Sequence, residues 1–174
     1  PARASTSASV SYPSASAPRA RAEPRAGARL HGNRVPRDEP VLRDPAAPHS
    51  FDPSVLREYD VRGIVGDTIG EADAYALGRA FGSLAKRRGA RALAVGYDGR
   101  QSSPMLAAAL ACGLSACGLR VGLVGRGPTP MLYFAAYTME FDGGVMITGS
   151  HNPPAFNGFK LVLHRASVFG SDIQ

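Results

Sequence analysis

Short apolar runs alternate along residues 51–174 with longer segments in which apolar residues recur at helical spacing. Short apolar runs bounded by glycine or polar residues are typical of buried strands, and the longer segments are typical of helices that bury one face. The pattern predicts strands at 91–96, 119–124, 144–147 and 159–163, and helices at 71–88, 104–117 and 130–139. A chain that alternates strand and helix in this way favours a layered α/β domain.

The ends of the predicted helices carry separate signals. Glu71 and Asp73 place negative charge at the start of the first helix, where the helix dipole favours it. Ser102 or Ser103 is expected to cap the second helix, and Thr129 the third, because a short hydroxyl side chain can accept from the first free amides of a helix. These signals support the three helices that the periodicity predicts.

Residues 55–66 have apolar positions on both sides of a charged centre, which predicts an extended entry segment with a turn at Gly63. Arg62, just before this glycine, could reach a phosphate with its planar guanidinium. On this segment alone, an ion pair between Arg62 and Asp60 or Glu58 at the surface is the simpler interpretation.

Residues 1–50 differ in composition from the rest of the chain. The segment is rich in Ala, Arg, Pro and Ser, and it holds eight of the fourteen prolines. It has too little apolar surface to offset the entropy of ordering it, so we expect a disordered leader at 1–50 and a folded domain at 51–174. The leader lacks the apolar stretch of a secretory signal.

The net charge of +6 is concentrated in the same leader. Its eight arginines and four acidic residues give +4, which leaves +2 for the remainder. The positive charge is therefore weak support for a nucleic-acid partner, and an anionic small substrate fits it equally well. No nucleic-acid partner is therefore expected. No apolar stretch is long enough to span a bilayer, so no membrane partner is expected either.

The polar segment TGSHNPP at 148–154 is the strongest candidate for chemistry. It follows an apolar run, so it is expected to form a loop at a strand end, where functional residues of α/β folds concentrate. Its glycine permits a tight backbone path, and its two prolines oppose a helix or central strand after the histidine. The polar groups on offer are those of Ser150, His151, Asn152 and, ten residues after the serine, Lys160. This set suits transfer of a phosphoryl group carried by Ser150, with the donors and cations stabilising the charge on its oxygens.

An ordinary turn is the alternative for the same segment. Ser150 and Asn152 could hydrogen-bond to their own backbone, as these residue types commonly do in turns. A Ser-His pair alone would favour the turn. The length of the polar segment, and its agreement with other parts of the chain, favour the functional interpretation.

Five short segments, in a defined order, carry a family resemblance. They are REYDVRG at 57–63, VGYDGR at 95–100, GPTP at 127–130, TGSHNPP at 148–154 and NGFK at 157–160, the last closing the serine loop. Together they resemble the α-D-phosphohexomutases, specifically the bacterial phosphomannomutase/phosphoglucomutase type. The resemblance implies the first domain of that family, a layered α/β/α domain with a mixed sheet.

The resemblance also implies an activity. The family interconverts hexose 1-phosphate and hexose 6-phosphate, of mannose or glucose, through a phosphoserine and a bisphosphate intermediate. By this resemblance Ser150 is the phosphoserine and a ligand of Mg²⁺, and hexose 1,6-bisphosphate is the intermediate and activator. The expected partners are hexose phosphates, and the expected location is the cytoplasm.

Further residues match family positions around the serine. Arg62 and Lys160 match catalytic positions that stabilise charge and assist proton transfer. His151 matches a catalytic position beside the nucleophile. Tyr59 and Asn152 match substrate-binding positions near the same cleft.

The resemblance covers only one of the family's four domains. The family's metal loop, an Asp-Gly-Asp-x-Asp-Arg string on the second domain, is absent from this sequence. Without those carboxylates, Ser150 is expected to hold Mg²⁺ poorly. The chain taken alone is therefore expected to be an incomplete enzyme, and the alternative is a stand-alone sugar-phosphate-binding module without catalysis.

Overall fold

The computed structural model describes residues 48–173. Residues 1–47, which make up most of the predicted leader, lie outside the described residues. The disorder of that leader and the domain boundary at residue 51 therefore stay predictions. Within the described range, no helix combines the length and apolar character that crossing a membrane requires.

The described residues form three α-helices, six strands and two short 3₁₀-helices, at Pro53–Val55 and Gly170–Asp172. The helices are α1 (Glu71–Arg87), α2 (Ser103–Ala116) and α3 (Thr129–Thr138). The strands are β1 (Val61–Ile64), β2 (Ala92–Tyr97), β3 (Arg120–Arg126), β4 (Gly143–Ile147), β5 (Phe156–Leu163) and β6 (Ala166–Ser167). Every helix and strand predicted from the hydrophobic pattern is present.

The strands form one mixed sheet in the order β1-β5-β4-β2-β3, with β6 paired to β5. Strand β2 runs parallel to β3 and β4, whereas β5 runs antiparallel to β1, β4 and β6. The carboxyl ends of β2 and β4 therefore lie together at one edge of the sheet, and β5 starts at that edge. The predicted mixed sheet is confirmed.

The helices cover the two faces of the sheet unequally. On one face, α1 and α2 pack together on a large buried cluster that includes Val95, Val145 and Phe159. On the other face, α3 packs on a smaller cluster formed by Ala94, Leu132, Ala135 and Met146. The layered α/β/α arrangement is thus confirmed. Because α3 packs chiefly over β2, β3 and β4, the α3 side of β1 and β5 is available for polar side chains.

Two local expectations were wrong. Gly63 lies inside β1, where a Cβ would collide with Thr68 Oγ1, so this glycine provides close packing. The turn comes later, at Gly66, which has a φ of 85°. Thr129 is the first residue of α3, and the preceding Pro128 occupies the cap position.

Candidate active site

The segment that follows β4 leaves the sheet at the edge where β2 also ends. The loop begins at Thr148, whose amide donates to the carbonyl of Gly158 at 2.9 Å, and returns to the sheet at Phe156. The expected position of the loop at a strand end is therefore confirmed. Residues 157–160 were expected to close the loop, but they lie within β5.

Ser150 stands at the exposed tip of this loop in an uncommon backbone conformation. Its φ is 52°, in the left-handed region that non-glycine residues rarely adopt. Its amide donates to Thr148 Oγ1 at 2.9 Å, and its Oγ lies 3.3 Å from His151 Nδ1. The hydroxyl group is thus exposed to solvent beside an imidazole, while the backbone amide of Ser150 is held by the Thr148 side chain.

Asn152 stabilises the loop from within. Its side-chain Nδ2 and its backbone amide both donate to the carbonyl of Gly149 at 3.1 Å. The backbone bonding that an ordinary turn predicts is therefore present at Asn152. Ser150 differs, since its Oγ contacts His151.

Arg62 makes the ion pair that one of its two interpretations predicted, and its contact with a phosphate stays a prediction. Its guanidinium pairs with Asp60, but the pair is buried, with the Arg62 side chain only 4% exposed. Its Nη1 donates to the carbonyl of Gly149 at 2.6 Å. Arg62 therefore connects β1 directly to the backbone next to Ser150. The ion pair predicted as the simpler alternative is present, but the prediction that it lies at the surface was wrong.

Strand register explains how Arg62 and Lys160 come to lie on the same face. Arg62 pairs with Gly158, and Lys160 follows two residues later along β5, so both side chains project from the side that carries α3. A Cβ on Gly158 would meet the backbone of Val61 and Arg62. The glycine of the NGFK segment thus leaves room for the arginine to cross β5 toward the loop.

Asp60 links the two cations. Its carboxylate accepts hydrogen bonds from Arg62 and lies 3.4 Å from Lys160 Nζ. Burial raises the pKa of Asp60, but the hydrogen bonds and charges of Arg62 and Lys160 outweigh burial and hold that pKa below its ordinary value. The Lys160 side chain is 31% exposed, so its ammonium can still meet a ligand. Sequence analysis assigned Asp60 no role in the site.

Arg100 is a second residue to which the sequence assigned no role, and it lies against the serine loop. Its two terminal nitrogens donate to the carbonyls of Ser150, Asn152, Pro153 and Phe156, at distances from 2.6 to 3.2 Å. Its Nε lies 3.4 Å from Asp98 Oδ2. The VGYDGR segment that contributed to the resemblance contains both residues, but only the fold brings them to the loop.

Asp98 organises the base of the site. Its carboxylate accepts hydrogen bonds from the amide of Gly149 at 2.9 Å and from Ser103 Oγ at 2.6 Å. Burial raises the pKa of Asp98, but hydrogen bonds from Ser103, the amides of Arg100 and Gly149, and Thr148 hold that pKa below its ordinary value.

The fully buried Asn157 donates to the hydroxyls of Ser102 and Ser103 at 2.9 Å, which joins β5 to the start of α2. Ser102 occupies the cap position of α2, as expected, but its side chain makes no cap hydrogen bond.

Tyr59 lies at the exposed surface, on the segment just before β1. Its side chain is 72% exposed, and its ring centre is 6.5 Å from that of Phe169. It directly precedes Asp60 in the chain. Ser150 contacts His151, whereas Asn152 and Arg62 both donate to the carbonyl of the neighbouring Gly149. Lys160 is linked to Arg62 through Asp60.

The donor groups around Ser150 do not make a magnesium site by themselves. Within residues 48–173, no group of three or more His, Cys, Asp or Glu side chains could hold a metal ion. Asp60, on the face that carries Lys160, is bound by two cations, and Asp98 is bound within the loop base. Mg²⁺ needs several oxygen ligands, so the described residues alone do not fit it.

Asp60→Asn is expected to lower the free energy of unfolding by about 2 kcal/mol at about pH 7, because it removes the negative partner of two cations. Since the folded-state pKa lies below 3.8, the ionised Asp60 stabilises the fold fully above the unfolded-state pKa. That contribution disappears as the pH falls through the folded-state pKa. Urea unfolding of both proteins at about pH 7 and about pH 3 should show their stabilities converge in acid.

Asp172→Asn is the matched control for this measurement. Asp172 also pairs with an arginine, Arg88, but the two side chains are 38% and 44% exposed. Removing this surface pair is expected to change the free energy of unfolding by less than about 1 kcal/mol. A gap between wild type and Asp60→Asn that is undiminished in acid would contradict the role of the Asp60 charge.

Comparison with known proteins gives one consistent family. Residues 54–174 match the family model described as phosphoglucomutase/phosphomannomutase, alpha/beta/alpha domain I. A phosphomannomutase/phosphoglucomutase from Pseudomonas aeruginosa is 50% identical over 121 residues, which are 70% of this chain and 26% of that protein. A phosphoglucomutase from Neisseria gonorrhoeae is 47% identical over 120 residues, which are 69% of this chain and 26% of that protein.

A solved structure agrees with these relatives. A phosphoglucomutase/phosphomannomutase family protein from Burkholderia thailandensis superposes with a TM-score of 0.70 at 44% sequence identity. The match covers 72% of this chain and 29% of that chain. The chain thus spans about a quarter of the length of these curated relatives.

Proposed function

Since the chain belongs to the phosphoglucomutase/phosphomannomutase family as its alpha/beta/alpha domain I, we propose that it is the phosphoserine-bearing part of a hexose-phosphate mutase. The relatives named phosphomannomutase/phosphoglucomutase and phosphoglucomutase support mannose and glucose phosphates as the substrates. The reaction interconverts the 1-phosphate and the 6-phosphate of the sugar.

The presentation of Ser150 is the observation that carries this proposal. Its hydroxyl group is exposed at the loop tip, whereas the loop backbone is held by three side chains from two other segments of the chain. A nucleophile that must accept and return a phosphoryl group needs such a fixed position more than it needs elaborate covalent chemistry. The pairing of an exposed hydroxyl with an anchored backbone therefore suits phosphoryl transfer.

In the proposed cycle, phosphorylated Ser150 gives its phosphoryl group to the free hydroxyl of a hexose monophosphate. The P–O bond to Ser150 breaks, a P–O bond to the sugar oxygen forms, and the proton lost by the sugar hydroxyl is taken up by Ser150 Oγ. The product is a hexose 1,6-bisphosphate. The bisphosphate turns over in the site and returns its other phosphoryl group to Ser150 Oγ. His151 Nδ1, 3.3 Å from that oxygen, is positioned to exchange the proton of the serine hydroxyl.

Lys160 and Arg62 have different proposed parts in this cycle. Lys160 projects from the face beside the loop and its side chain is partly exposed, which suits stabilisation of the phosphoryl oxygens. Arg62 is buried and bound to Gly149 and Asp60, so it contributes its charge from beneath the loop. Tyr59 and Asn152 are proposed to bind substrate at the rim, Asn152 while its Nδ2 holds the loop.

Magnesium has a limited place in the proposal. Ser150, once phosphorylated, would supply one oxygen ligand to Mg²⁺. The other ligands would have to come from outside the described residues, because those residues offer no set of three acidic or imidazole groups. The steps above are therefore written through the side chains of this chain.

Phosphoryl uptake at Ser150 tests the proposal. The chain is joined to the remaining domains of the Pseudomonas aeruginosa relative, which are expected to supply the other Mg²⁺ ligands. This protein is incubated with glucose 1,6-bisphosphate or mannose 1,6-bisphosphate in the presence of Mg²⁺, and its intact mass is measured. We expect the mass to rise by one phosphoryl group, which peptide mapping places on Ser150. Binding of the bisphosphates without any mass change would contradict transfer and would instead support the sugar-phosphate-binding module.

A further inference from the structure

The guanidinium of Arg100 contacts the backbone of the nucleophile and of the loop that follows it. Two of its acceptors are the carbonyls of Ser150 and Asn152, and two more are those of Pro153 and Phe156 at the end of the loop. All four lie 50 to 56 residues away in sequence. We propose that Arg100 is the positioning residue that holds Ser150 in its reactive backbone conformation, an inference that rests on the proposed function.

The conformation of Ser150 needs such support. A φ of 52° is unfavourable for an ordinary L-residue, and such conformations persist only where surrounding contacts determine them. Nη2 of Arg100 donates both to the carbonyl of Ser150 itself and to the carbonyl of Asn152, two residues later. Relaxation of the φ angle at Ser150 would move these carbonyls away from the guanidinium.

The space below Gly149 shows that the loop is built around this arginine. A Cβ at Gly149 would overlap the Cζ and Nε atoms of Arg100. The φ of Gly149 is not positive, so backbone conformation does not require a glycine here. The glycine is needed for the close approach of the guanidinium. Asp98 then fixes both partners, because its Oδ2 lies 3.4 Å from Arg100 Nε and accepts from the amide of Gly149.

Arginine is suited to this position in a way that lysine is not. Its planar guanidinium directs donors to several fixed acceptors at once, whereas an ammonium is a compact point charge. The donors of Arg100 are occupied by carbonyl groups, so its function is to hold the loop. Loss of Arg100 should therefore slow phosphoryl transfer more than it weakens the binding of the bisphosphate.

Arg100→Lys tests the inference, with Arg88→Gln as the matched control. Arg88 also pairs with an aspartate, but at the exposed surface. In Arg100→Lys we expect the amides of Ser150 and Asn152 to exchange hydrogen at least about tenfold faster, while amides of β4 and β5 keep their protection. We expect phosphoryl uptake to slow by about tenfold to a hundredfold, with the half-saturating bisphosphate concentration changed by less than about threefold. Arg88→Gln should match wild type in both measurements.

Chemical rescue provides an independent readout. Added guanidinium ion at low millimolar concentration should restore part of the phosphoryl uptake in Arg100→Ala, whereas methylammonium should not, because only the former is planar. Wild-type exchange at Ser150 and Asn152 in Arg100→Lys would overturn the inference. A loss of protection spread through β4 and β5 would also overturn it, because it would show a general role in folding.

The two proposals fail separately. If wild-type protein takes up no phosphoryl group, the proposed function fails, but the hydrogen-exchange comparison still tests whether Arg100 holds the loop. If uptake is normal in wild type and unchanged in Arg100→Lys, the mutase proposal survives and the positioning role is refuted.

Discussion

Ser150→Ala is expected to abolish phosphoryl uptake from hexose 1,6-bisphosphate and, in an enzyme that contains all four domains, to lower mutase turnover by at least about a thousandfold. The substitution removes the only atom of Ser150 that can form the phosphoester. The fold should be unaffected, because the side chain is exposed and the backbone is held by Thr148, Arg62 and Arg100. Intact mass after incubation with the bisphosphate measures the loss, and thermal unfolding checks the fold.

Ser115→Ala is the control for this prediction. Ser115 is an exposed serine near the end of α2, on a different element from the serine loop. Its variant should gain the same phosphoryl group as wild type. If Ser150→Ala still gains a phosphoryl group at the wild-type rate, another residue is the nucleophile and the proposed mechanism is wrong.

Lys160→Ala is expected to lower the rate of phosphoryl uptake by about a hundredfold. The ammonium belongs to a partly exposed side chain on the face of β5 beside the loop, and its loss removes charge stabilisation from the phosphoryl oxygens as they move. Arg62 cannot replace it, because Arg62 is buried and already donates to Gly149 and Asp60. Single-turnover phosphoryl uptake measured over a range of bisphosphate concentrations gives the rate.

Two further variants separate charge from packing. Lys160→Met keeps an unbranched apolar side chain in β5, so it should be as slow as Lys160→Ala if the charge is what matters. Lys86→Ala removes an exposed lysine at the end of α1 and should leave the rate unchanged. Recovery of the wild-type rate in Lys160→Met would contradict the electrostatic role.

The start of β5 shows where local pattern reasoning fails. The predicted strand began at residue 159, but β5 begins at Phe156. Asn157 and Gly158 interrupt the apolar run, so they were interpreted as loop residues. In the fold, the buried Asn157 is satisfied by Ser102 and Ser103, and the bare Cα of Gly158 allows Arg62 to cross. Both compensating groups lie more than fifty residues away, beyond the reach of a periodicity argument.

Arg100 shows the same limit of local pattern reasoning, here at the candidate active site. Its Asp98-Gly99 neighbours predict a turn, and the turn is present after β2. A charged residue in a turn is ordinarily solvated, so nothing local indicates that its guanidinium would lie against another loop. That contact depends on the parallel pairing of β2 with β4, which brings the ends of both strands to one edge.

The amino-acid sequence by itself determined the elements of the α/β domain, the position of the serine loop after a buried strand, and the family resemblance. These properties depend on residues close together in the chain, through periodicity and short motifs. Only the tertiary structure decided the different placement of the cations, with Arg62 buried beneath the loop, Arg100 held on its carbonyls and Lys160 partly exposed. The reason is physical: the burial and hydrogen bonding of a charged side chain depend on partners that sheet pairing brings together, and the sequence of one segment does not contain them.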